Sequence, residues 1–179
     1  MNLSSRRPRE SFRKLSDMLG HLYYQLILIR LFEERILELF SKGLLSGTTH
    51  TSIGQEAIPV SVINHLNLDD IVISNHRCHG HYLVKTGDVT GLMAEIMGKE
   101  SAPSKGRGGS QHLIGDGFFS NGVQGNMFPV SAGIALGEKI SESKNIVVVF
   151  IGDGTFGEGV IYETMNLIAL WSIPLLIVV

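Results

Sequence analysis

A glycine-rich turn near the carboxyl end of the chain carries an aspartate in a position suited to cofactor chemistry. Residues 152–157 read GDGTFG and follow the apolar run Ile146 to Ile151, which matches the G-x-G-x-x-G turn of dinucleotide-binding proteins. Such proteins place an acidic residue about 20 positions further on, where this chain has valines. The carboxylate of Asp153 would also repel a pyrophosphate unless a cation stood between them.

A divalent cation bound by Asp153 is the second interpretation of this turn. Magnesium usually takes one or two protein ligands and completes its shell with water and phosphate oxygens. Gly152 and Gly154 would let a diphosphate approach the backbone, and the following helix would present its positive N-terminal end to the anion. A turn in which Asp153 only caps that helix is the third interpretation. The turn alone does not decide among the three.

The sequence HRCHGH, residues 76–81, is the second concentration of chemically active side chains. Arg77 suits bidentate recognition of a phosphate. A zinc site would use His76, Cys78, His79 and His81. The arginine inside the cluster and the lack of a second cysteine argue against zinc. Histidines held by local hydrogen bonds are the remaining alternative.

Hydrophobic spacing predicts the elements that position these residues. A helix is predicted from about Leu15 to Phe40, because apolar residues recur every three or four positions on one face, and Gly43 ends it. That face consists of Leu22, Leu26, Ile29, Phe32, Ile36 and Leu39. Ser52, followed three residues later by Gln55, resembles a capping box that opens the next helix, which places His50 on a loop.

The middle of the chain combines a short strand with a long loop. Strand Ile71 to Ser74 delivers the HRCHGH sequence at its carboxyl end. Loop signals dominate Gly98 to Phe128. The helix that starts at Pro129 carries Gly133 and Gly137 one turn apart. Since glycine lowers helix stability, these two predict the close approach of another backbone.

The last part of the chain defines the fold class. It predicts strand Ile146 to Ile151, helix Val160 to Trp171 and strand Pro174 to Val179. Two apolar strands joined by a helix imply a right-handed crossover in a parallel sheet with helices on both faces, an α/β fold. Ligands bind beyond the carboxyl ends of such strands. Because the chain stops at its last strand, the sheet and the site are expected to be incomplete at their carboxyl end.

Composition limits the classes of partner. The 179 residues, 44% hydrophobic with a net charge of -2, suit one globular domain with its own core. The nearly balanced charge predicts no nucleic-acid partner, and its one basic concentration, Arg6 to Lys14, predicts a flexible tail over 1–14. The apolar run Leu22 to Phe32 is too short to cross a bilayer and contains Arg30, so no membrane partner is predicted. A single cysteine favours a cytoplasmic location, with an organelle matrix as the alternative.

Five motifs in a fixed order resemble those of one family. They read RLFEERILELFSKGLLSGTTHTSIGQEA, HRCHGH, KGRGGSQH, NGVQGNMFPVSAGIALG and GDGTFGEGVIYETMNLIALWSIPLLIVV. Together they are similar to the alpha subunits of thiamine-diphosphate-dependent 2-oxo acid dehydrogenases and acetoin dehydrogenases. The resemblance begins at about Leu28. It implies the thiamine-diphosphate-binding fold, with residues 15–179 as the amino-terminal part of the domain that holds the cofactor diphosphate.

The resemblance implies roles for residues around the diphosphate. Asp153 is the implied magnesium ligand, and Gly152, Gly154 and Thr155 are implied to lie beside the diphosphate. Arg77 is implied to contact the diphosphate directly.

The resemblance also implies roles around the reacting part of the cofactor. His76 stands where members have tyrosine or, in acetoin-type enzymes, histidine. Gly122 and Gln124 are implied to meet the aminopyrimidine ring through the backbone, although valine is usual at the position of Gln124. His50 matches a histidine near the reacting centre and is the implied catalytic residue. Arg107 to His112 match a GRGGSMH loop, with glutamine in place of methionine.

The resemblance finally implies an activity and partners. It is that of an enzyme that cleaves a 2-oxo acid or acetoin and passes the acyl unit to lipoyl or a similar acceptor, with thiamine diphosphate and Mg²⁺ as cofactors and a beta subunit as partner. Family members complete the metal site with an asparagine just after the strand at which this chain stops. The expectation is a split alpha subunit completed by a second polypeptide. An inactive assembly or regulatory module and a dinucleotide-binding oxidoreductase are the alternatives.

Overall fold

The computed structural model describes the chain from Arg7 to Val179, with side chains from Lys14 onward. Residues 1–6 of the predicted tail lie outside the described residues, and the flexibility of residues 1–14 stays a prediction. The first helix, α1, spans Arg7–Ser41 and therefore begins before the predicted Leu15. In the described residues no helix combines the length and the apolarity that crossing a membrane requires.

The predicted apolar face of α1 is the face that packs. Ile29, Phe32, Ile36 and Leu39 are buried, and Leu22 and Leu26 pack against the same core. Each buried side chain of this size contributes about 1.5–3 kcal/mol to stability. The packed face, rather than intrinsic propensity, therefore holds this long helix in place.

Three short helices follow α1 on the same side of the sheet. They are α2, Ala57–Ile63, α3, His79–Thr86, and α4, Val89–Ile96. Helix α3 ends at Gly87, whose φ of 68° is accessible to glycine at little cost. The side chain of Asp88 then caps α4 by accepting a hydrogen bond from the backbone N–H of Gly91. Together these signals turn the chain sharply between α3 and α4.

The sheet has five strands in the order β2-β3-β1-β4-β5. Their ranges are β1, Ile71–Ser74, β2, Ile114–Gly115, β3, Phe118–Ser120, β4, Val147–Phe150, and β5, Leu175–Val178. β1 pairs in parallel with β3 and β4, and β4 with β5, while β2 is antiparallel to β3. Helix α5, Met127–Ile140, lies between β3 and β4 in the chain, and α6, Gly159–Leu170, lies between β4 and β5.

Hydrophobic cores on both faces of the sheet confirm the predicted α/β class. Alternate residues of β4 point to opposite faces: Val148 and Phe150 join the core under α1 to α4, while Val147 and Val149 join the core under α5 and α6. All four side chains are buried, as is typical of a strand covered on both sides.

Two local predictions were wrong. The long loop contains the hairpin β2–β3, which its glycines concealed. Ser52 does not cap α2; its hydroxyl donates to Glu33 instead, and Glu56 occupies the cap position without a side-chain capping bond. The close approach of another backbone at Gly133 and Gly137 stays a prediction, because a Cβ added at either glycine would meet no atom of the described chain within 4 Å beyond its own helix backbone.

Candidate functional site

A cavity of about 620 Å³ lies at the carboxyl ends of β1, β4 and β5, three of the four parallel strands. Asn75 to Arg77 enter it directly after β1, Ile151 to Thr155 directly after β4, and Val178 and Val179 from the end of β5. Helices α2 and α3 close one side of it with Pro59 and Gly80. This is the edge at which ligands bind in open parallel sheets.

The segment after β1 turns sharply so that Arg77 lines the cavity. The side chain of Asn75 accepts a hydrogen bond from the backbone N–H of Arg77 at 2.9 Å, a turn that asparagine stabilises. The Arg77 guanidinium donates through Nη1 to the carbonyl of Thr51. This contact orients the planar group, whose remaining N–H groups suit a phosphate.

His76 and Gln124 connect two walls of the cavity. Nε2 of Gln124 donates to Nδ1 of His76, and Oε1 of Gln124 accepts from the hydroxyl of Thr155 at 3.1 Å. Burial, followed by the charges of His50 and Arg77, lowers the pKa of His76. His76 is therefore neutral at neutral pH and carries its proton on Nε2, because its Nδ1 accepts.

His50 and Gly122 lie next to this wall and do not line the cavity. The rings of His50 and His76 meet edge to face, with centroids 4.8 Å apart. Nε2 of Gln111 donates to Nδ1 of His50 at 3.1 Å. A Cβ at Gly122 would lie 2.1 Å from Oε1 of the same Gln111, so a larger residue there would make the end of that side chain move.

Asp153 stands exposed at the opposite wall of the cavity. It begins a 3₁₀ turn, Asp153–Gly157, that connects β4 to α6. A Cβ at Gly154 would meet nothing within 4 Å, and one at Gly152 only Oγ1 of Thr155 at 3.9 Å, so the backbone of this turn is open to a ligand. Glu158 lines the same wall as a second carboxylate.

The HRCHGH cluster is divided between the cavity and the core. His76 and Arg77 face the cavity, whereas Cys78 and His79 are buried in the direction of Glu33 and Ser110. Burial raises the pKa of the Cys78 thiol to about 12, so it is not a reactive thiolate at neutral pH.

Within the described chain no three His, Cys, Asp or Glu residues are grouped as a metal site would require. The cavity nonetheless gathers seven of the nine predicted site residues. They are His76, Arg77, Gln124, Gly152, Asp153, Gly154 and Thr155.

Sequence reasoning missed the residues that support this arrangement. Thr51 contributes only a backbone carbonyl to Arg77, and a backbone contact leaves no trace in residue type. Glu33 is wholly buried although its side chain is charged. Its position beside Phe32 on the apolar face of the helix could have indicated this burial.

Comparison with known proteins defines the class to which this fold and cavity belong. The chain belongs to the dehydrogenase E1 component family, whose model matches residues 24–179. It is 41% identical over 173 residues to the alpha subunit of acetoin:2,6-dichlorophenolindophenol oxidoreductase from Bacillus subtilis, covering 95% of this chain and 52% of that protein.

Two pyruvate dehydrogenase E1 component alpha subunits are also similar. The mitochondrial protein of Chaetomium thermophilum is 34% identical over 170 residues, which is 94% of this chain and 41% of that protein. The protein of Rickettsia prowazekii is 32% identical over 173 residues, which is 95% of this chain and 53% of that protein. The chain thus spans about half the length of the curated relatives it matches.

Proposed function

We propose that this chain binds the diphosphate end of thiamine diphosphate through Mg²⁺ in a dehydrogenase E1 enzyme that acts on a 2-oxo acid or acetoin. The observation that carries the proposal is that Asp153 and Arg77 line one cavity at the carboxyl edge of the sheet, on the segments that follow the neighbouring strands β4 and β1. An anionic ligand bridged by a cation would use both side chains, whereas a dinucleotide would gain nothing from Asp153.

The residues of the cavity fit this cofactor. The open backbone at Gly152 and Gly154 accommodates a diphosphate that a Cβ would crowd. The Asp153 carboxylate is a hard oxygen ligand of the kind magnesium prefers, and one such ligand with phosphate oxygens begins an octahedral shell. The positive N-terminal end of α6 further favours the anion. Residues outside these 179 would supply further protein ligands.

Each side chain has a distinct task in this proposal. Arg77 binds phosphate oxygens while Thr51 holds its guanidinium in place. Thr155 orients Gln124, which in turn keeps the proton of His76 on Nε2, facing away from the amide. His50, held by Gln111, lies next to His76 near the reacting part of the ligand. When bound, thiamine diphosphate supplies the electron sink for cleaving a bond beside a carbonyl group.

We further propose a beta subunit and an acyl acceptor, lipoyl or similar, as the partners of the whole enzyme. The relatives named above are alpha subunits, which supports a heteromeric assembly. The supply of the remaining alpha-subunit residues by a separate polypeptide stays a prediction, which the mass of the native chain and of its partners would test.

The proposal is tested by calorimetric titration of thiamine diphosphate into the native assembly with magnesium and with EDTA. Asp153→Asn is expected to weaken magnesium-dependent binding about 10- to 100-fold, since bonds to charged groups contribute about 1.5–3 kcal/mol. The matched control is Asp116→Asn, an exposed aspartate in the β2–β3 turn, which should bind like the native protein.

The outcomes separate the proposal from its alternatives. Thiamine, which lacks the diphosphate, should bind equally to the native and Asp153→Asn proteins. Native affinity in Asp153→Asn would refute the metal–diphosphate site. Failure of the native assembly to bind thiamine diphosphate would favour an inactive assembly module, and tight binding of NAD instead would favour the dinucleotide-binding oxidoreductase.

A further inference from the structure

A buried carboxylate on α1 connects to the site from behind. Glu33 is fully buried, and its Oε1 accepts hydrogen bonds from the backbone N–H of Ser52 at 2.9 Å and from the Ser52 hydroxyl at 2.7 Å. Nδ1 of His79 lies 3.0 Å from Oε2 of the same carboxylate. The carboxylate thus joins α1, the segment before α2, and α3.

His79 extends this connection to the long glycine-rich loop. Its Nε2 lies 3.1 Å from the carbonyl oxygen of Ser110, and its Nδ1 faces Glu33. Both neighbours are hydrogen-bond acceptors. His79 therefore bridges the Glu33 carboxylate and the Ser110 carbonyl, and the side chains of Glu33 and His79 are fully buried.

The charge state of Glu33 agrees with this geometry. Burial by itself raises the pKa of Glu33. The hydrogen bond and charge of His79, with the two hydrogen bonds from Ser52, outweigh burial and hold that pKa below its ordinary value. The Glu33 carboxylate is therefore ionised at neutral pH.

The two segments tied by this pair carry side chains of the candidate site. Ser52 directly follows Thr51, whose carbonyl accepts from Arg77. Ser110 directly precedes Gln111, which donates to His50. Glu33 and His79 do not line the cavity. They hold Ser52 and Ser110, and the residue next to each of these two serines contacts a side chain of the site.

We propose that the hydrogen-bonded Glu33–His79 pair is the positioning device of this site: it holds the segments at Ser52 and Ser110 together and thereby sets the placement of Arg77 and His50. This inference rests on the proposed function for its effect on cofactor binding. A buried polar pair replaced by apolar residues of similar volume often leaves stability unchanged or higher. The role assigned to the pair is therefore placement rather than stability.

Hydrogen–deuterium exchange of the native assembly tests the placement without any cofactor. In the double variant Glu33→Leu/His79→Leu, the peptides covering 50–52 and 107–112 should exchange faster, with the melting temperature close to native. Affinity for thiamine diphosphate with magnesium should fall about tenfold, the effect typical of losing residues that orient ligand-binding groups.

Two single variants complete the design. Glu33→Gln keeps an oxygen for Ser52 and an amide N–H for Nδ1 of a neutral His79, so it should restore native exchange at both segments. Glu95→Leu removes another buried carboxylate, which accepts from the N–H groups of Ser104 and Gly108. Glu95→Leu should speed exchange only in the peptide covering 104–108 and leave the exchange of the peptide covering 50–52 as in the native protein.

Each outcome decides the inference. Native exchange at 50–52 and 107–112 in the double variant would overturn it, as would native cofactor affinity despite faster exchange. If the double variant does not fold, Glu33→Asp, which shortens the reach of the carboxylate, must loosen both segments. If the native assembly does not bind the cofactor, the proposed function fails, while the exchange pattern still decides whether the pair positions both segments.

Discussion

Two histidines on the first turn of α3 have different surroundings. His79 lies between the Glu33 carboxylate and the Ser110 carbonyl, whereas His81 is buried with its Nδ1 3.0 Å from the Ser74 hydroxyl and its ring against Phe150. Burial lowers the pKa of His81 to about 4, although the backbone carbonyl of Arg77 opposes the shift. Two residues of equal type and nearly equal position in the sequence thus differ because of their tertiary neighbours.

The buried neutral state of His81 predicts acid sensitivity. Between pH 6.5 and about 4 the unfolded chain binds a proton at His81 that the folded chain does not, so stability must fall as the pH falls through this window. A shift of this size corresponds to about 3 kcal/mol. Urea unfolding at pH 7 and pH 4.5 should therefore show a smaller loss in His81→Gln than in the native protein.

An exposed histidine provides the control for this measurement. His21→Gln on α1 removes a histidine from the surface and should leave the pH dependence as in the native protein. An equal loss of stability in His81→Gln and the native protein between the two pH values would contradict the assignment.

At the scale of elements, periodic apolar patterns predicted the positions of the regular strands and helices and the face on which α1 packs. Strand Ile71–Ser74 is confirmed to the residue, and β4, α6 and β5 lie within one or two residues of their predicted bounds. The predicted face of α1 is the packed face because its spacing leaves only one way to bury it. The long helices and the longer strands thus followed from the sequence alone, whereas α3 and α4 were not predicted.

Elements held by contacts distant in sequence did not follow from the sequence. The hairpin β2–β3 has only two and three residues per strand, too few for an alternating pattern to be recognised among glycines. The hydroxyl of Ser52 is engaged by Glu33, 19 residues earlier in the chain, so the local capping signal was misleading. Tertiary competition for a polar group cannot be inferred from spacing.

The glycine-rich loop contains positions with very different tolerance. Gly106 and Gly109 both have positive φ, 69° and 59°, which costs any other residue about 1–2 kcal/mol. A Cβ at Gly106 would also lie 2.3 Å from the backbone carbon of Gly98, whereas one at Gly109 would meet nothing within 4 Å. Gly106 therefore cannot take a side chain unless the backbone at Gly98, just after α4, moves.

A matched pair of substitutions measures this difference. Gly109→Ala should lower the free energy of unfolding by about 1–2 kcal/mol, and Gly106→Ala by about 2–4 kcal/mol once steric overpacking is added. Urea denaturation of both variants beside the native protein gives the comparison. An equal decrease in the free energy of unfolding in the two variants would contradict this prediction and would mean that the backbone around Gly98 moves at no measurable cost.

For the whole molecule, the site depends on the sheet having two covered faces. Helices α1 to α4 cover one face, with Glu33 on α1 and Arg77 in the segment that precedes α3. Helices α5 and α6 cover the other face and follow the segments that bear Gln124 and Asp153. The cavity lies at the carboxyl edge of the strands, where segments from both sides of the sheet meet. The sequence predicted seven of the residues in this cavity because they stand directly after strands or in family motifs, and it missed the buried pair behind them.

We expect the proposed partner subunit to approach the outer surface of α5. Val130, Gly133, Gly137 and Ile140 follow one helical face and are all exposed, and a Cβ at either glycine meets nothing within 4 Å in the described chain. Exposed Tyr162, Leu170 and Trp171 of the α6 region add to the apolar surface of this side. Surfaces of this kind mark sites of protein association.

A side chain introduced at Gly133 should therefore prevent association without harming the fold. Leucine has a higher helix propensity than glycine, so Gly133→Leu should fold at least as well as the native chain. Overpacking a close contact costs about 1–3 kcal/mol, which corresponds to a loss of about tenfold or more in partner affinity, measured by sedimentation of the co-expressed subunits. Thr90→Leu, at an exposed position of α4 on the other side of the sheet, should assemble normally. Normal assembly of Gly133→Leu would place the partner elsewhere and leave the open glycine face of α5 without a role in association.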